Sequence, residues 1–275
     1  MTHPMILLAV AALALAATRL VPGRAGNISM PEVVHLDAGI STYRAAGEFR
    51  IGTQVVDAPL QQTAVQALDV MTFQVSQAGY ARCIAAAACP DIPTKGSPTQ
   101  AQTGVSYTDA TAYADWFSAE TGQHWRLPTD AEWLRAAGNR AQDDGLAVDA
   151  DAIAAAVADG SDPSLRWLAS YRREAEIRGE ADFLPHPLGH FGLNDLGLAD
   201  IAGNIWEWTE TCFQNGSLSR DGRSVVSATD HCGVRAVQGK HRAFVIDFIR
   251  DARSGGCAAG VPPDYLGFRL VRDPS

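Results

Sequence analysis

The chain has no C-x-x-C pair, no run of basic residues and no apolar stretch longer than Met5 to Ala17. The first absence removes the common zinc frameworks, and the seven His are too scattered to replace them. The second removes nucleic acid as a partner. A protein with net charge −9 and no concentrated Lys/Arg face has nothing with which to displace counterions from a phosphate backbone. Internal repeats, collagen-like tracts and heptad runs are also missing, which excludes solenoids and fibres. What is present is ordinary globular material, 275 residues with 47% hydrophobic and 19% charged. That is enough for a substantial core in one large or two small domains. No linker composition interrupts the chain, so a single domain over residues 27–275 is expected.

The third absence concerns membranes. The run Met5–Ala17 is too short to span a bilayer but has the length of a signal-peptide apolar region, with small residues following it. Its leading segment lacks Lys and Arg. Residues 1–26 therefore read as a signal peptide or, uncleaved, as an N-terminal anchor, and the protein as periplasmic or secreted with no other membrane association. Cysteine usage agrees. Cys83 and Cys89 bracket five residues, Cys212 and Cys232 bracket a Gly/Ser-containing loop, and Cys257 is left over. Two short-loop disulfides suit an oxidising compartment; five buried free thiols are the alternative.

Residues 32–75 read as short strands broken by turns (VVHL, GEFRIG, ALDVMTFQV). Ser76 caps a helix carrying Tyr80, Cys83 and Ile84 on one face, stopped by Pro90. SYTDATAYADWFSAETG predicts a helix with Thr108 as N-cap, an apolar stripe of Ala112, Tyr113, Trp116 and Phe117, and Gly122 as its left-handed stop. A second follows in RLPTDAEWLRAAG, where Thr129 and Glu132 form a capping box and Gly138 ends the helix. Residues 141–180 are Ala/Asp-rich and read as helical. Beyond Pro185 regular elements give way to Gly, Asn, Pro and aromatics until LGFRLV (266–271), an apolar strand that would close a sheet. The class is α+β, loop-rich, with little regular structure.

Three blocks stand in order: RLPTDAEWLRAAG (126–138), FGLNDLGLADIAGNIWEWT (191–209) and LGFRLV (266–271). Together they resemble the formylglycine-generating enzyme, or sulfatase-modifying factor, family, whose members read close to RLPTEAEWE-AAR, GLYD-x-x-GNVWEW and GFR. The upstream VMTFQVSQAGYARCI (70–84) is similar to the family's EVT-x-x-x-Y segment. The resemblance spans roughly residues 45–273 and implies a variant of the C-type lectin fold. Family chemistry ranges from a copper oxidase that converts a sulfatase Cys to formylglycine, through iron-dependent sulfoxide synthases, to domains that only bind.

The resemblance implies a calcium site in DIAGNIWEW. Asp200 and Glu207 match residues that supply side-chain oxygens, and Gly203 and Ile205 match residues that supply carbonyls; the alternative is Glu207 paired with an Arg and no metal. Residues 203, 205 and 207 share one side of an extended chain, placing Trp206 and Trp208 on the other, with Trp206 toward a substrate groove. The copper pair of the oxidase is not matched. No Cys lies between Cys232 and Cys257, so copper is not expected. The only H-x-x-x-H, His186 to His190, falls in HPLGH, whose Pro and Gly oppose a helix.

In place of the copper cysteines stands KHRAFVIDFIRDAR (240–253). Alternation puts Phe244, Ile246 and Phe248 on one face and Val245, Asp247 and Ile249 on the other. His241, Asp247, Arg250 and Arg253 are the catalytic candidates, His241 as acid/base and Arg250 or Arg253 gripping an anion. The competing reading is an ion-pair network of Asp247 or Asp251 with Arg. The function expected is an exported maturation enzyme, oxidoreductase-like, acting on a peptide or protein substrate without the two-Cys copper site. The alternatives are a non-catalytic lectin-like module for a peptide, glycan or partner protein, and formylglycine generation through Cys232 or Cys257.

Overall fold

A computed structural model describes residues 28–93, 96–141, 185–248 and 260–274. Its first strands are short because turn residues cut the chain every few positions, but the longest, of 13 and 14 residues, lie beyond residue 205, contrary to the expectation that regular elements give way after Pro185. β1 (Val33–Leu36), β2 (Gly39–Arg44), β3 (Gly47–Ile51), β4 (Gln54–Val56), β5 (Leu60–Val65) and β6 (Leu68–Met71) come first. Helices α1 (Gln77–Ala85) and α2 (Tyr107–Thr121) follow, then β7 (Trp125–Arg126) and α3 (Asp130–Ala137). The long hairpin β8 (Trp206–Leu218) and β9 (Val225–Gln238) leads to β10 (Ala243–Ile246), β11 (Leu266–Gly267) and β12 (Val271–Arg272).

Each helix begins at a side chain that satisfies its exposed backbone donors. Ser76 accepts from Gly79 N ahead of α1, as expected. In α3 the Thr129–Glu132 capping box forms, and Gly138 closes the helix. For α2 the N-cap is Ser106, not Thr108, because Asp109 three residues on completes a reciprocal capping box with it. Gly122 ends α2 in the left-handed conformation at φ 69°. The Ala/Asp-rich stretch read as helical lies, apart from residue 141, outside the described residues.

The strands form a four-stranded sheet in the order β1-β6-β12-β7, a second sheet in the order β10-β9-β8-β3-β4 with β11 beside β8, and a ribbon of β2 with β5. LGFRLV does not make one strand. Leu266–Gly267 runs parallel to Trp206–Glu207 in the second sheet, whereas Val271–Arg272 pairs with β6 and β7 in the first. Phe268, Arg269 and Leu270 between them are wholly buried. A strand alternates faces within one sheet; this segment changes sheets instead, so its apolar run is buried from both sides.

The core is aromatic. Tyr113, Trp116, Trp125, Trp206, Trp208 and Phe268 belong to one buried cluster between α2 and the second sheet. Trp133, Leu134, Leu198, Ile201 and Val271 belong to another, under α3. The motif 200–208 runs along the boundary between the two.

Candidate functional site

The motif enters on a tight turn. Asp200 and Ala202 adopt left-handed conformations at φ 56° and 59°. Asp tolerates this because its short side chain can bond the nearby backbone. Its carboxylate accepts from Gly189 N at 2.5 Å and Phe191 N at 2.8 Å. Asn204 clamps the same loop, accepting from His186 N at 2.8 Å and donating to His186 O at 3.1 Å. Thus HPLGH is a loop, as its Pro and Gly require, yet the loop stacks the His186 and His190 rings at 4.1 Å.

From Ile205 the chain is extended, and alternation holds: Trp206 and Trp208 face the aromatic cluster while Glu207 turns the other way. Glu207 is completely buried. Its Oε2 accepts from Arg269 Nε at 2.6 Å and Trp133 Nε1 at 2.9 Å. Its Oε1 accepts from Arg269 Nη2 and Gln74 Nε2, both at 2.8 Å. Arg269 gives its remaining N–H groups to the carbonyls of Met71, Thr72 and Ala199. All five guanidinium donors are therefore used.

This donor set does not fit calcium as it is arranged. A calcium shell needs carboxylate oxygens with lone pairs to spare. Here the guanidinium already supplies the positive charge against Glu207, and Asp200 is engaged by two backbone N–H groups. Among the described residues no group of three or more His, Cys, Asp or Glu could hold a metal ion. Sequence reasoning had Glu207 against an unnamed Arg as the alternative; the partner is the Arg of the C-terminal G-F-R block. Gln74, from the segment 70–84, and Trp133, from the segment 126–138, complete the set.

The polar segment after β9 forms the exposed edge of the second sheet. β10 pairs with β9, Ala243 opposite Val237 and Ile246 opposite Val234. Phe244 and Ile246 face outward and Val245 packs inward, the expected alternation. His241 stands at the start of this edge. Its Nδ1 lies 2.9 Å from the carbonyl of Arg242. A carbonyl only accepts, so Nδ1 carries the proton and neutral His241 keeps its lone pair on Nε2. The ring packs edge-on against Trp206 at 5.3 Å, and Tyr265 flanks the same indole at 5.4 Å. Trp206 is 8% exposed and donates from Nε1 to His241 O at 3.1 Å. It forms the floor beneath His241 and Tyr265. Gly239 makes this possible, since a Cβ there would lie 2.9 Å from the indole.

Arg242 and Asp247 point to different places. Arg242 turns into the protein, donating to Asp130 Oδ2 at 2.9 Å and to Arg44 O at 2.7 Å. Gln238 holds the second oxygen of Asp130 at 2.5 Å. Among the described residues the ion pair of this segment joins Arg242 to Asp130, while Asp251 lies outside them. Asp247 instead reaches the start of α2, accepting from Thr108 Oγ1 at 2.8 Å and, more distantly, from Thr108 N at 3.4 Å. Its carboxylate faces backbone donors a helix start leaves open, a stabilising position for negative charge. Arg250 and Arg253 lie outside the described residues.

Beside this edge, Arg235 lies over the Tyr107 ring at 3.8 Å and donates to Glu210 O. Burial pushes the Tyr107 hydroxyl up. Burial also pushes the Glu210 carboxyl above its ordinary range, and the nearby Glu132 charge adds to the effect. Burial acts on Glu132 too, but the Arg126 pair at 2.7 Å, with the capping hydrogen bonds, more than offsets it and holds that carboxyl low. Cys212 and Cys232 are joined across the hairpin, and Cys83 and Cys89 at the end of α1. Both expected disulfides are thus present. Cys232 is not a free thiol for copper.

A model of the sulfatase-modifying factor enzyme 1-like domain matches residues 18–274. The chain belongs to the sulfatase-modifying factor family. Within the family, it is 32% identical over 119 residues to the formylglycine-generating enzyme of Mycobacterium tuberculosis, a match covering 40% of this chain and 32% of that protein. The formylglycine-generating enzyme of Streptomyces coelicolor is likewise 32% identical, over 43% of this chain and 34% of that protein. The matched stretch spans about a third of the length of these curated relatives. Among solved structures, PvdO from Pseudomonas aeruginosa superposes with a TM-score of 0.54 at 20% identity, over 89% of this chain and 95% of PvdO. The Treponema denticola variable protein 1 gives 0.51 at 15% identity, over 88% and 95%. These likenesses bear on fold alone, and the fold is the loop-rich α+β architecture of this family, a variant of the C-type lectin fold. No helix among the described residues is long and apolar enough to cross a membrane.

Proposed function

We propose that this chain is an exported maturation enzyme of the sulfatase-modifying factor family that acts on a peptide or peptide-derived substrate at the edge bounded by His241, Trp206 and Tyr265. The observation that carries the reading is the Nδ1 hydrogen bond of His241, which leaves Nε2 as the basic atom beside an aromatic floor. In this reading His241 moves a proton at Nε2, Trp206 and Tyr265 hold the substrate, and Arg250 and Arg253 contribute positive charge from the neighbouring segment. A two-thiolate copper centre is not part of it. Of five cysteines, four are joined in pairs, which leaves a single thiol.

The test is incubation of the purified protein with dioxygen and candidate peptides, read by mass spectrometry. A mass change is expected that His241→Ala reduces by about 100-fold or more, the size of a general acid–base contribution. Turnover unaffected by His241→Ala, in a folded variant, overturns the assignment of His241.

The same cysteine arithmetic favours a second reading, a non-catalytic lectin-like module for a peptide, glycan or partner protein. Recovery of a partner that Tyr265→Ala fails to retain, with no peptide turned over under any condition, would select this reading. Formylglycine generation through Cys257 alone is the third reading. Equal copper binding by Cys257→Ser and the parent protein eliminates it.

A further inference from the structure

The two disulfides of the chain stand in different surroundings. Cys83 is wholly buried and Cys89 nearly so, whereas Cys212 is half-buried and Cys232 exposed. Cys232 lies in a break of the β8–β9 ladder. Cys212 and Phe213 are adjacent on β8, yet they pair with Arg235 and His231, so Cys232, Gly233 and Val234 bulge out of the register.

The same register sets Arg235 directly across from Cys212. Opposite residues of an antiparallel pair share a face, and Arg235 Nη1 approaches Cys212 Sγ to 3.4 Å. The guanidinium is fixed there, lying over the Tyr107 ring at 3.8 Å and donating to the Glu210 carbonyl. Among the described residues it enters no ion pair, so no carboxylate neutralises its charge beside the sulfur. A cation next to a sulfur favours the thiolate, and a stabilised thiolate leaves a disulfide faster. An incoming thiolate, for its part, reacts at the sulfur it can reach. The two halves of this disulfide therefore differ: Cys232 is the exposed half and Cys212 the half with a counter-charge.

We propose that the Cys212–Cys232 disulfide is a thiol–disulfide exchange site for a thiol reductant, with Cys232 Sγ as the atom attacked and Cys212 Sγ as the leaving group held by Arg235. An incoming thiolate bonds to Cys232 Sγ as the Sγ–Sγ bond breaks, and the electron pair passes to Cys212, which becomes a thiolate beside the guanidinium. A second reductant thiolate then attacks the reductant's sulfur in the mixed disulfide and releases Cys232. The reductant thiols end as one disulfide, and the protein pair gains their two electrons and two protons. Gly233, next to Cys232 in the bulge, accepts through its carbonyl from Asp247 N at 3.1 Å. The redox state of the pair thus bears on the bond that anchors the end of β10.

The experiment treats the folded full chain with β-mercaptoethanol, an uncharged thiol, and quenches aliquots with N-ethylmaleimide for peptide mapping by mass spectrometry. It is run on the parent and on Cys257→Ser, which removes the remaining thiol as a competing nucleophile. Cys212 and Cys232 are expected to become alkylated roughly tenfold faster than Cys83 and Cys89, with the transient mercaptoethanol adduct on Cys232. Arg235→Gln is expected to slow this reduction roughly tenfold, and Arg235→Lys to restore part of the rate, with an unchanged Cys83 pair as the check on folding. The sign separates chemistry from bracing, because an Arg that only braced the bulge would, once removed, free the disulfide and speed its reduction. Three results overturn the proposal: reduction of the Cys83 pair at an equal or greater rate, an adduct on Cys212, or an Arg235→Gln rate equal to or above that of the parent. The first two are read without altering Arg235. None of the readouts depends on turnover at His241.

Discussion

Arg269 and Glu207 meet side by side, Nε to Oε2 at 2.6 Å and Nη2 to Oε1 at 2.8 Å, with neither side chain more than 1% exposed. One residue comes from the signature strand and the other from the segment that changes sheets. Removing either alone leaves an uncompensated buried charge, a loss of about 3–5 kcal/mol. Arg269→Met and Glu207→Leu are each expected to lower stability by that order in urea unfolding, and the double variant to recover part of it. Additive losses would mean that the two side chains do not act as a pair.

The same pair bears on calcium. Because a guanidinium already neutralises Glu207, millimolar calcium or an excess of chelator is expected to leave the melting temperature unchanged. A rise on calcium addition that Asp200→Asn abolishes would show a different arrangement of this turn.

Asp247 links the edge strand to the start of α2 through Thr108. Its removal should cost about 0.5–2 kcal/mol, as loss of a helix N-cap does. In Asp247→Ala, hydrogen exchange is expected to accelerate at the first turn of α2 while amides in its last turn keep their protection. Uniform loss of protection would mean that the contact supports the whole domain.

With four cysteines paired, thiol titration of the unfolded, unreduced protein is expected to give one thiol per chain. Three would mean an open disulfide. The hairpin disulfide closes the longer loop, with a sequence separation of 20 against 6, and Cys212→Ser/Cys232→Ser is expected to cost about 3 kcal/mol, more than the Cys83 pair.

Glu210 gives a pH dependence of known sign. Its folded carboxyl titrates above its unfolded value, mainly through burial. The folded state then binds the proton more tightly, and stability falls as pH rises from the ordinary carboxylate range through the folded value. Glu210→Gln is expected to be more stable than the parent at neutral pH, with the difference closing in acid. A difference that grows in acid would reverse the assignment.

Much of the fold was legible in its punctuation. Ser76, the Thr129–Glu132 box and Gly122 mark ends of helices because capping is a local transaction between a side chain and the next turn. Thr108 was misplaced for the same reason. Ser106 and Thr108 are both good caps, and only the reciprocal bond of Asp109 chooses between them. Asp247, from far along the chain, uses Thr108 for something else. Alternation correctly set Trp206 and Trp208 against Glu207. What no local pattern carries is partner identity: Arg269 for Glu207, Asp130 for Arg242. Those pairings join residues more than sixty positions apart and are fixed by how the two sheets meet.

The division of LGFRLV between two sheets also affects the order of assembly. The first residues of β8 lack β11 beside them, and β6 and β7 lack the strand that joins them, until residues 266–272 are in place. Glu207 likewise waits for its counter-charge. A chain synthesised from its N-terminus would thus remain unlocked along most of its length, and would close around one arginine that arrives late.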